Sequence, residues 1–228
     1  MNTILTIDTS SANCAVALLH DSVLIERVSE AERQSAQRVL PMISELLSEA
    51  ELALGQIDLI AVVAGPGSFT GVRIGIAVAQ GLSLSSSIPV VPLSSLALLA
   101  MASVIQNRID RVLICEKARD EEIYFAAYQK STTSGVELIG REQVARIADL
   151  DVLPVALQTL SWCIAGDGWG NKQAILRQLG CSAAAEPCAS CINNELIAEF
   201  GRLRFQSGEA VDGAGLRPNY VKEQLDYT

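Results

Sequence analysis

The chain has 228 residues, of which half are hydrophobic and 4% are aromatic, and its formal net charge is −9. This aliphatic composition excludes a disordered chain and favours an α/β protein long enough for one large domain or two smaller lobes. The acidic balance and the lack of a basic run exclude a chain that grips a nucleic-acid backbone by itself. A nucleic-acid substrate would therefore have to be held by another subunit.

The first half of the chain predicts five strands and three helices. Short apolar segments predict the strands, at residues 3–7, 14–19, 23–28, 59–63 and 90–91. Apolar residues at helical spacing predict the helices, at residues 35–54, 70–84 and 95–105. This order favours a mixed sheet with helices on its faces.

The second half repeats the pattern less regularly. Further strands are predicted at residues 111–115, 123–128, 136–139 and 160–165. Further helices are predicted at residues 142–150, 171–179 and 194–206. Each half begins with a strand hairpin, which suggests a duplicated, actin-like architecture. We place the boundary at an N-terminal lobe of residues 1–106 and a smaller C-terminal lobe of residues 107–228.

The helix at residues 70–84 has an unusual composition. Apolar residues occur nearly all round it, Gly71, Gly75 and Ala79 form a ridge of small residues, and Arg73 is its one charge. Ser68 and Thr70 are both candidates for its N-cap. Such a helix is either enclosed in the core or presents one face to another protein. Both interpretations remain open from the sequence.

Residues 74–107 carry no charge, which raises the question of a membrane span. Prolines and a serine cluster divide this stretch into helix, strand and helix, so we expect no membrane association. The N-terminus does not resemble a signal peptide, and we expect a cytoplasmic protein. Cys188 and Cys191 form an isolated C-x-x-C. Free thiols are the simpler interpretation, and a metal or redox role is the alternative.

The chain has one histidine, His20, so it cannot build a metal motif that needs two histidines, such as H-E-x-x-H or His-x-x-x-His. His20 lies in a predicted hairpin turn, where a turn residue is the simpler interpretation. Three short loops that follow predicted strands are candidate phosphate-binding loops, since backbone amides at such turns favour anions. Their residues are Asp8, Thr9, Ser10, Gly65, Gly67, Ser68, Gly166 and Gly168. None of them has the Gly-Lys-Ser/Thr ending of a Walker A motif.

Several of these segments resemble the TsaB (YeaZ) family. The resemblance is carried by residues 7–10, 37–41, 65–75 and 118–119, with Tyr124, Pro218 and Tyr220. It is dense over the first hundred residues and sparse afterwards. The catalytic relative TsaD has a stretch similar to residues 65–73, but TsaD-type proteins carry a His-x-x-x-His metal motif that this chain lacks.

The resemblance implies a two-lobed actin/hexokinase-like (ASKHA, ribonuclease H-like) α/β fold with mixed sheets flanked by helices. It also implies a non-catalytic subunit of the complex that installs threonylcarbamoyl on the adenosine next to the tRNA anticodon. This subunit would bind TsaD in a heterodimer, allow TsaE to join, meet tRNA only through the complex, and form a homodimer in isolation. It would bind no cofactor tightly, with ATP or ADP and Mg²⁺ held at most at the partner interface.

We expect the partner interface on the first two helices. The predicted interface residues are Arg38, Met42, Leu46, Val72, Arg73, Ile76 and Gln80. Two positions depart from the family pattern, namely Ser35, where relatives often have His, and Lys117, where they often have Asp. The second departure removes a carboxylate from the cleft side of the second lobe, which disfavours a nucleotide–Mg²⁺ role.

Two enzymatic alternatives remain. One is an ATP-dependent phosphotransferase of the same superfamily, which would use the candidate phosphate-binding loops. The other is an endopeptidase, which the lack of a catalytic histidine pair opposes.

Overall fold

The computed structural model describes residues 2–29, 35–181 and 184–221. Its ten strands are β1 (Thr3–Asp8), β2 (Cys14–His20), β3 (Val23–Ser29), β4 (Leu59–Gly65), β5 (Val90–Ser94), β6 (Arg111–Lys117), β7 (Glu122–Ser131), β8 (Gly135–Arg146), β9 (Trp162–Ala165) and β10 (Ala184–Pro187). The helices of the described residues are α1 (Ser35–Glu49), α2 (Phe69–Ser86), α3 (Ser95–Asn107), α4 (Val155–Gln158), α5 (Lys172–Leu179) and α6 (Asn194–Gln206).

The chain divides into two compact units. The first contains Met1–Leu98 and Ile192–Asn219, and the second contains Leu99–Cys191 and Tyr220–Thr228. This division differs from the predicted lobes of residues 1–106 and 107–228. The reason is α6, which lies late in the chain but packs on strands β1, β2, β4 and β5 of the first unit.

The first unit contains a five-stranded sheet in the order β3-β2-β1-β4-β5. Strands β1, β2 and β3 form an antiparallel meander, while β4 and β5 run parallel to β1. Helices α1 and α2 contact one another on one face of this sheet. Helix α6 covers the other face, where a Cβ on Gly201 would lie 2.6 Å from the Cβ of Ala61. Because successive strand residues alternate between faces, Val62 points to the α2 side, into the core that α1 and α2 share.

The second unit repeats this topology. Its sheet has the order β10-β9-β6-β7-β8, with an antiparallel meander of β6, β7 and β8, and with β9 and β10 parallel to β6. The duplicated strand order confirms the predicted α/β class and the actin/hexokinase-like (ASKHA) assignment. Each unit has its own apolar core.

One predicted element is wrong. The sequence predicts a helix at residues 142–150, but β8 continues to Arg146 and a short 3-10 turn (Ile147–Asp149) follows. Pairing with β7 extends as far as Glu122 opposite Arg146. The ladder accommodates a register shift between Phe125 and Ala127, and Gly140 on β8 has a φ of +78°. Pairing with the long strand β7 therefore makes the first part of this segment, up to Arg146, a strand.

Among the described residues, no helix is both long enough and apolar enough to cross a bilayer. No disulfide links any of the six cysteines, all of which lie in the described part of the chain, and Cys14, Cys115 and Cys181 are buried.

Candidate functional site

The corner between β4 and α2 is fixed by contacts with the end of β1. Ser68 is the N-cap of α2, and its Oγ accepts a hydrogen bond from the Gly71 amide at 3.3 Å. The Ser68 amide donates to the Ser10 carbonyl oxygen at 2.7 Å, and the Thr9 hydroxyl donates to the Gly71 carbonyl oxygen at 2.7 Å. The first turn of α2 is therefore bound to the segment that follows β1.

The small residues of the α2 ridge allow this close contact between α2 and the segment that follows β1. A Cβ on Gly71 would overlap the Thr9 carbonyl oxygen, and one on Gly75 would lie 2.5 Å from the Thr9 Oγ1. A Cβ on Gly67, in the preceding loop, would lie 2.5 Å from the Ser10 carbonyl oxygen. The glycines therefore allow α2 to approach its own sheet closely, and they do not form a surface for another protein.

Four of the seven predicted interface residues are core residues, and for them the prediction of a partner-facing surface is wrong. Met42 and Ile76 are only 1% and 4% exposed, and Leu46 and Val72 are also buried in the core that α1 and α2 share. The physical reason is the orientation of α2, since the face that carries the glycine ridge also carries Val72 and Ile76. Because both sides of this helix are apolar in sequence, the sequence pattern alone does not show which side is buried.

The other three predicted interface residues remain at the surface to different extents. Arg38 is exposed and Arg73 is half-buried. The Arg73 guanidinium lies 3.3 Å from the centre of the Phe69 ring and donates to the Phe69 carbonyl oxygen. Gln80 is half-buried, and its side-chain amide donates to the Leu216 carbonyl oxygen at 3.0 Å.

Opposite the buried side, α2 presents a surface that we call the outer face of α2. It consists of Thr70, Arg73, Ala77, Gly81 and Leu84. Leu84 is 65% exposed, and Phe69 beside this face is 58% exposed. A Cβ on Gly81 would meet nothing within 4 Å. The outer face is thus smooth, rich in small residues and almost without charge.

Helix α1 adds one apolar residue next to this face. Arg27 on β3 pairs with Glu45 and Glu49 of α1, which identifies the flank of α1 that faces β3. At 100° per residue Arg38 lies on this same flank, away from α2, whereas Leu40 lies on the opposite flank and is 51% exposed. Leu40 is therefore the better candidate for extending the outer face of α2.

The structure brings two of the three candidate phosphate-binding loops together in the first unit. There Asp8 Oδ1 accepts hydrogen bonds from the Ser10 amide at 2.9 Å and from the Ser10 hydroxyl at 2.7 Å. The amides of Ser10 and Ser68 are thus already used by acceptors of the same chain. In this conformation the Ser68 amide joins the two loops, and neither the Ser10 amide nor the Ser68 amide is available to a phosphate.

The third loop, at residues 166–168, belongs to the second unit and is also closed by its own chain. The Gly168 amide donates to the Cys115 carbonyl oxygen at 2.8 Å, and the Asp167 amide donates to Glu116 Oε1 at 3.2 Å. Burial, followed by the nearby Asp167 carboxylate, raises the pKa of Glu116. Burial and these two carboxylates also raise the pKa of the Cys115 thiol to about 12. Such a negative environment disfavours a phosphate group.

A metal site is not supported within the described residues, where no cluster of three or more His, Cys, Asp or Glu side chains could hold an ion. In the C-x-x-C segment, Cys191 is exposed and the Cys188 thiol lies 3.4 Å from the Ile164 carbonyl oxygen.

Lys117, one of the two departures from the family pattern, makes a 3.9 Å contact with the Asp167 carboxylate. This departure therefore places a cation beside the loop at residues 166–168.

Both the sequence and the fold are similar to those of known proteins. Residues 28–184 match a family model described as "TsaD: tRNA N6-adenosine threonylcarbamoyltransferase". The "tRNA threonylcarbamoyladenosine biosynthesis protein TsaB" of Escherichia coli K12 is 36% identical over 168 residues, which are 73% of this chain and 71% of that protein. The Bacillus subtilis protein of the same name is 31% identical over 96% of this chain and 94% of its own length.

Two solved structures from Pseudomonas aeruginosa share the fold along nearly the whole chain. One is described as an uncharacterized protein with similarity to peptidase YEAZ, with a TM-score of 0.82 and 35% identity over 97% of this chain and all of that one. The other is described as YeaZ, with a TM-score of 0.80 and 35% identity over 96% of this chain and all of that one. The chain therefore belongs to the TsaB (YeaZ) family.

Proposed function

We propose that the chain acts in tRNA threonylcarbamoyladenosine biosynthesis as a non-catalytic scaffold and regulatory subunit that docks on TsaD. The docking surface would be the outer face of α2, extended by Leu40 of α1 and by Phe69 at the start of α2. The family membership supports the pathway, and the shape and chemistry of α2 support the mode of action.

The exposed, charge-poor outer face of α2 is the observation that carries this proposal. A helix on the surface of a monomer normally turns charged and polar residues to water. Here Ala77 and Gly81 occupy the centre of the exposed side, and Leu84 and Phe69 flank it. Small residues in the middle of such a face allow another helix to approach closely, and large apolar residues at its margins provide area to bury.

The remaining parts of the proposal follow from the family resemblance. TsaE would join the TsaD-bound form, tRNA would be met only through the complex, and two copies of the chain would pair through the same face when TsaD is absent. ATP or ADP with Mg²⁺ would be held, if at all, at the interface with the partner, since the amides of Ser10, Ser68, Asp167 and Gly168 already bind acceptors of their own unit. We place the complex in the cytoplasm.

The ATP-dependent phosphotransferase alternative would need these same loops to open. Calorimetry with ATP and Mg²⁺ on the isolated chain discriminates it. Micromolar binding that is lost in Asp8→Ala would favour this alternative, whereas the scaffold proposal expects no such binding.

The docking proposal is tested with Ala77→Arg, which places a long charged side chain at the centre of the outer face of α2. We expect the dissociation constant for purified TsaD to rise by at least about tenfold, because a buried guanidinium without a partner is strongly unfavourable. Ala156→Arg is the matched control, since Ala156 is an exposed helical alanine of the second unit. Unchanged affinity in a folded Ala77→Arg protein would overturn the proposed docking face.

A further inference from the structure

A cavity of about 330 Å³ lies in the first unit, between the C-terminal end of α2 and the segment that follows α6. Leu84, Ser87 and Ile88 line one side, and Ala210, Val211 and Asp212 line the other. Its volume is at the lower end of the range for small-ligand pockets, and it is large enough for one aliphatic side chain with part of its neighbour. Leu84 belongs both to this cavity and to the outer face of α2.

The walls of the cavity are held by hydrogen bonds and close packing. Val211 exchanges two backbone hydrogen bonds with Val90, at 2.8 and 2.9 Å. The Ser83 hydroxyl donates to the Ile88 carbonyl oxygen at 2.6 Å, which fixes the chain just after α2. A Cβ on Gly213 would lie 2.9 Å from the Gln80 carbonyl oxygen, so this segment is pressed against the helix. The cavity is therefore preformed.

The rim of the cavity is negative. Asp212 is exposed, and the last turn of α2 has no basic residue to offset the partial negative charge of a helix C-terminus. The basic side chains of the neighbouring segment make contacts of their own, since Arg204 pairs with Glu209 and Arg217 donates to the carbonyl oxygens of Ala214 and Leu216. A cavity lined mainly by apolar side chains, together with Ser83 and Ser87, and with a negative rim, fits an aliphatic side chain that is followed by a cation.

We propose that this cavity receives an aliphatic side chain of the subunit that docks on the outer face of α2, with a lysine or arginine directly after it in sequence. The aliphatic group would pack against Leu84 and Val211, and the cation would meet Asp212 and the C-terminus of α2. This inference rests on the proposed function, because Leu84 joins the cavity to the docking face.

The chemistry of the cavity is tested directly with two dipeptide amides, N-acetyl-Leu-Lys and N-acetyl-Leu-Glu, titrated into the full chain while backbone amide signals are followed by NMR. We expect the Leu-Lys probe to shift the signals of Leu84 and Val211 and to bind at least about threefold more tightly than Leu-Glu. Asp212→Asn keeps an acceptor oxygen for the Gly215 amide that Asp212 Oδ1 now binds. This variant should reduce the preference for Leu-Lys. Absence of shifts at these residues, or equal binding of the two probes, would overturn the inference.

The role in docking is tested with Ala210→Trp, which fills the cavity, against Ala214→Trp, an exposed alanine of the same segment outside it. We expect Ala210→Trp to weaken TsaD binding by at least about fivefold and Ala214→Trp to change it by less than about twofold. If Ala77→Arg prevents binding while Ala210→Trp does not, the cavity proposal fails and the docking face stands. If Ala77→Arg binds normally, the docking face fails, and the dipeptide titration decides the cavity on its own.

Discussion

The two units share one strand order, but the helix that follows the fourth strand differs between them. In the first unit β4 leads into α2, which has 18 residues and Arg73 as its one charge. In the second unit β9 leads into a 3-10 turn (Trp169–Asn171) and then α5, which has eight residues and carries Lys172 and Arg177. The same topology therefore produces a long, charge-poor helix in one unit and a short, charged helix in the other.

The loops at the corner between β4 and α2 and at the corresponding corner between β9 and α5 differ in their electrostatics. In the first unit a single carboxylate, Asp8, accepts hydrogen bonds from Ser10. In the second unit Glu116 and Asp167 lie close together, and their repulsion adds to burial in raising the pKa of Glu116. Both corners are closed by glycines that approach backbone or sulfur atoms of the neighbouring strand end. The two corners are thus closed in similar ways, but the second carries a pair of neighbouring carboxylates and the first carries one carboxylate.

The largest expected effect tests whether α2 has one buried and one exposed side. Ile76→Glu places a carboxylate in the first-unit core and should lower the free energy of unfolding by more than about 4 kcal/mol. Ala77→Glu, one residue further on the exposed side, should change it by less than about 0.5 kcal/mol. Urea denaturation followed by circular dichroism measures both. Similar losses in the two variants would show that the exposed side of α2 is also part of the core.

The second effect tests whether both corners are closed in the same way. Gly71→Ala should destabilise the protein by at least about 2 kcal/mol, because the new methyl group overlaps the Thr9 carbonyl oxygen. Gly81→Ala, in the same helix but with open space around it, should stabilise by about 0.5–1 kcal/mol. In the second unit Gly168→Ala should destabilise, because its Cβ would lie 2.6 Å from the Cys115 sulfur. A corner that tolerates its alanine would be looser than the structure shows.

Much of this architecture was predictable because the first unit has strong local signals. Apolar strands bounded by turns, the Ser68 cap and the helical spacing in α1 fixed most elements of the first half. The stretch at residues 142–150 was not predictable in this way. Its residues are compatible with a helix, and only pairing with the long strand β7 extends β8 to Arg146.

The orientation of α2 could not be read from its own sequence. Apolar residues surround the helix, so periodicity does not distinguish the core side from the surface side. Only the contacts of Gly71 and Gly75 with Thr9, which lies sixty residues earlier, decide the question. For the same reason Ala77, Gly81 and Leu84 were missed as surface residues. The exposed side could have been found by asking which face needs glycine for close packing.

The smallest effect tests the electrostatic difference between the corners. Because the folded pKa of Glu116 is raised, the folded state holds this proton more tightly than the unfolded state does. The contribution is thus favourable at pH values below the unfolded pKa and is lost as pH rises through the folded pKa. Glu116→Gln cannot ionise and keeps an oxygen to accept from the Asp167 amide, so it should avoid this loss.

Calorimetric melting at pH 4 and pH 7 measures this difference. The melting temperature of Glu116→Gln, relative to the parent protein, should be higher at pH 7 than at pH 4, by about 1–2 °C. Glu121→Gln is the matched control, because it removes an exposed carboxylate from the adjacent turn. If Glu116→Gln is equally stable relative to the parent at both pH values, the carboxylate repulsion at the second corner does not affect folding. The contrast between the corners would then rest on helix length and surface charge.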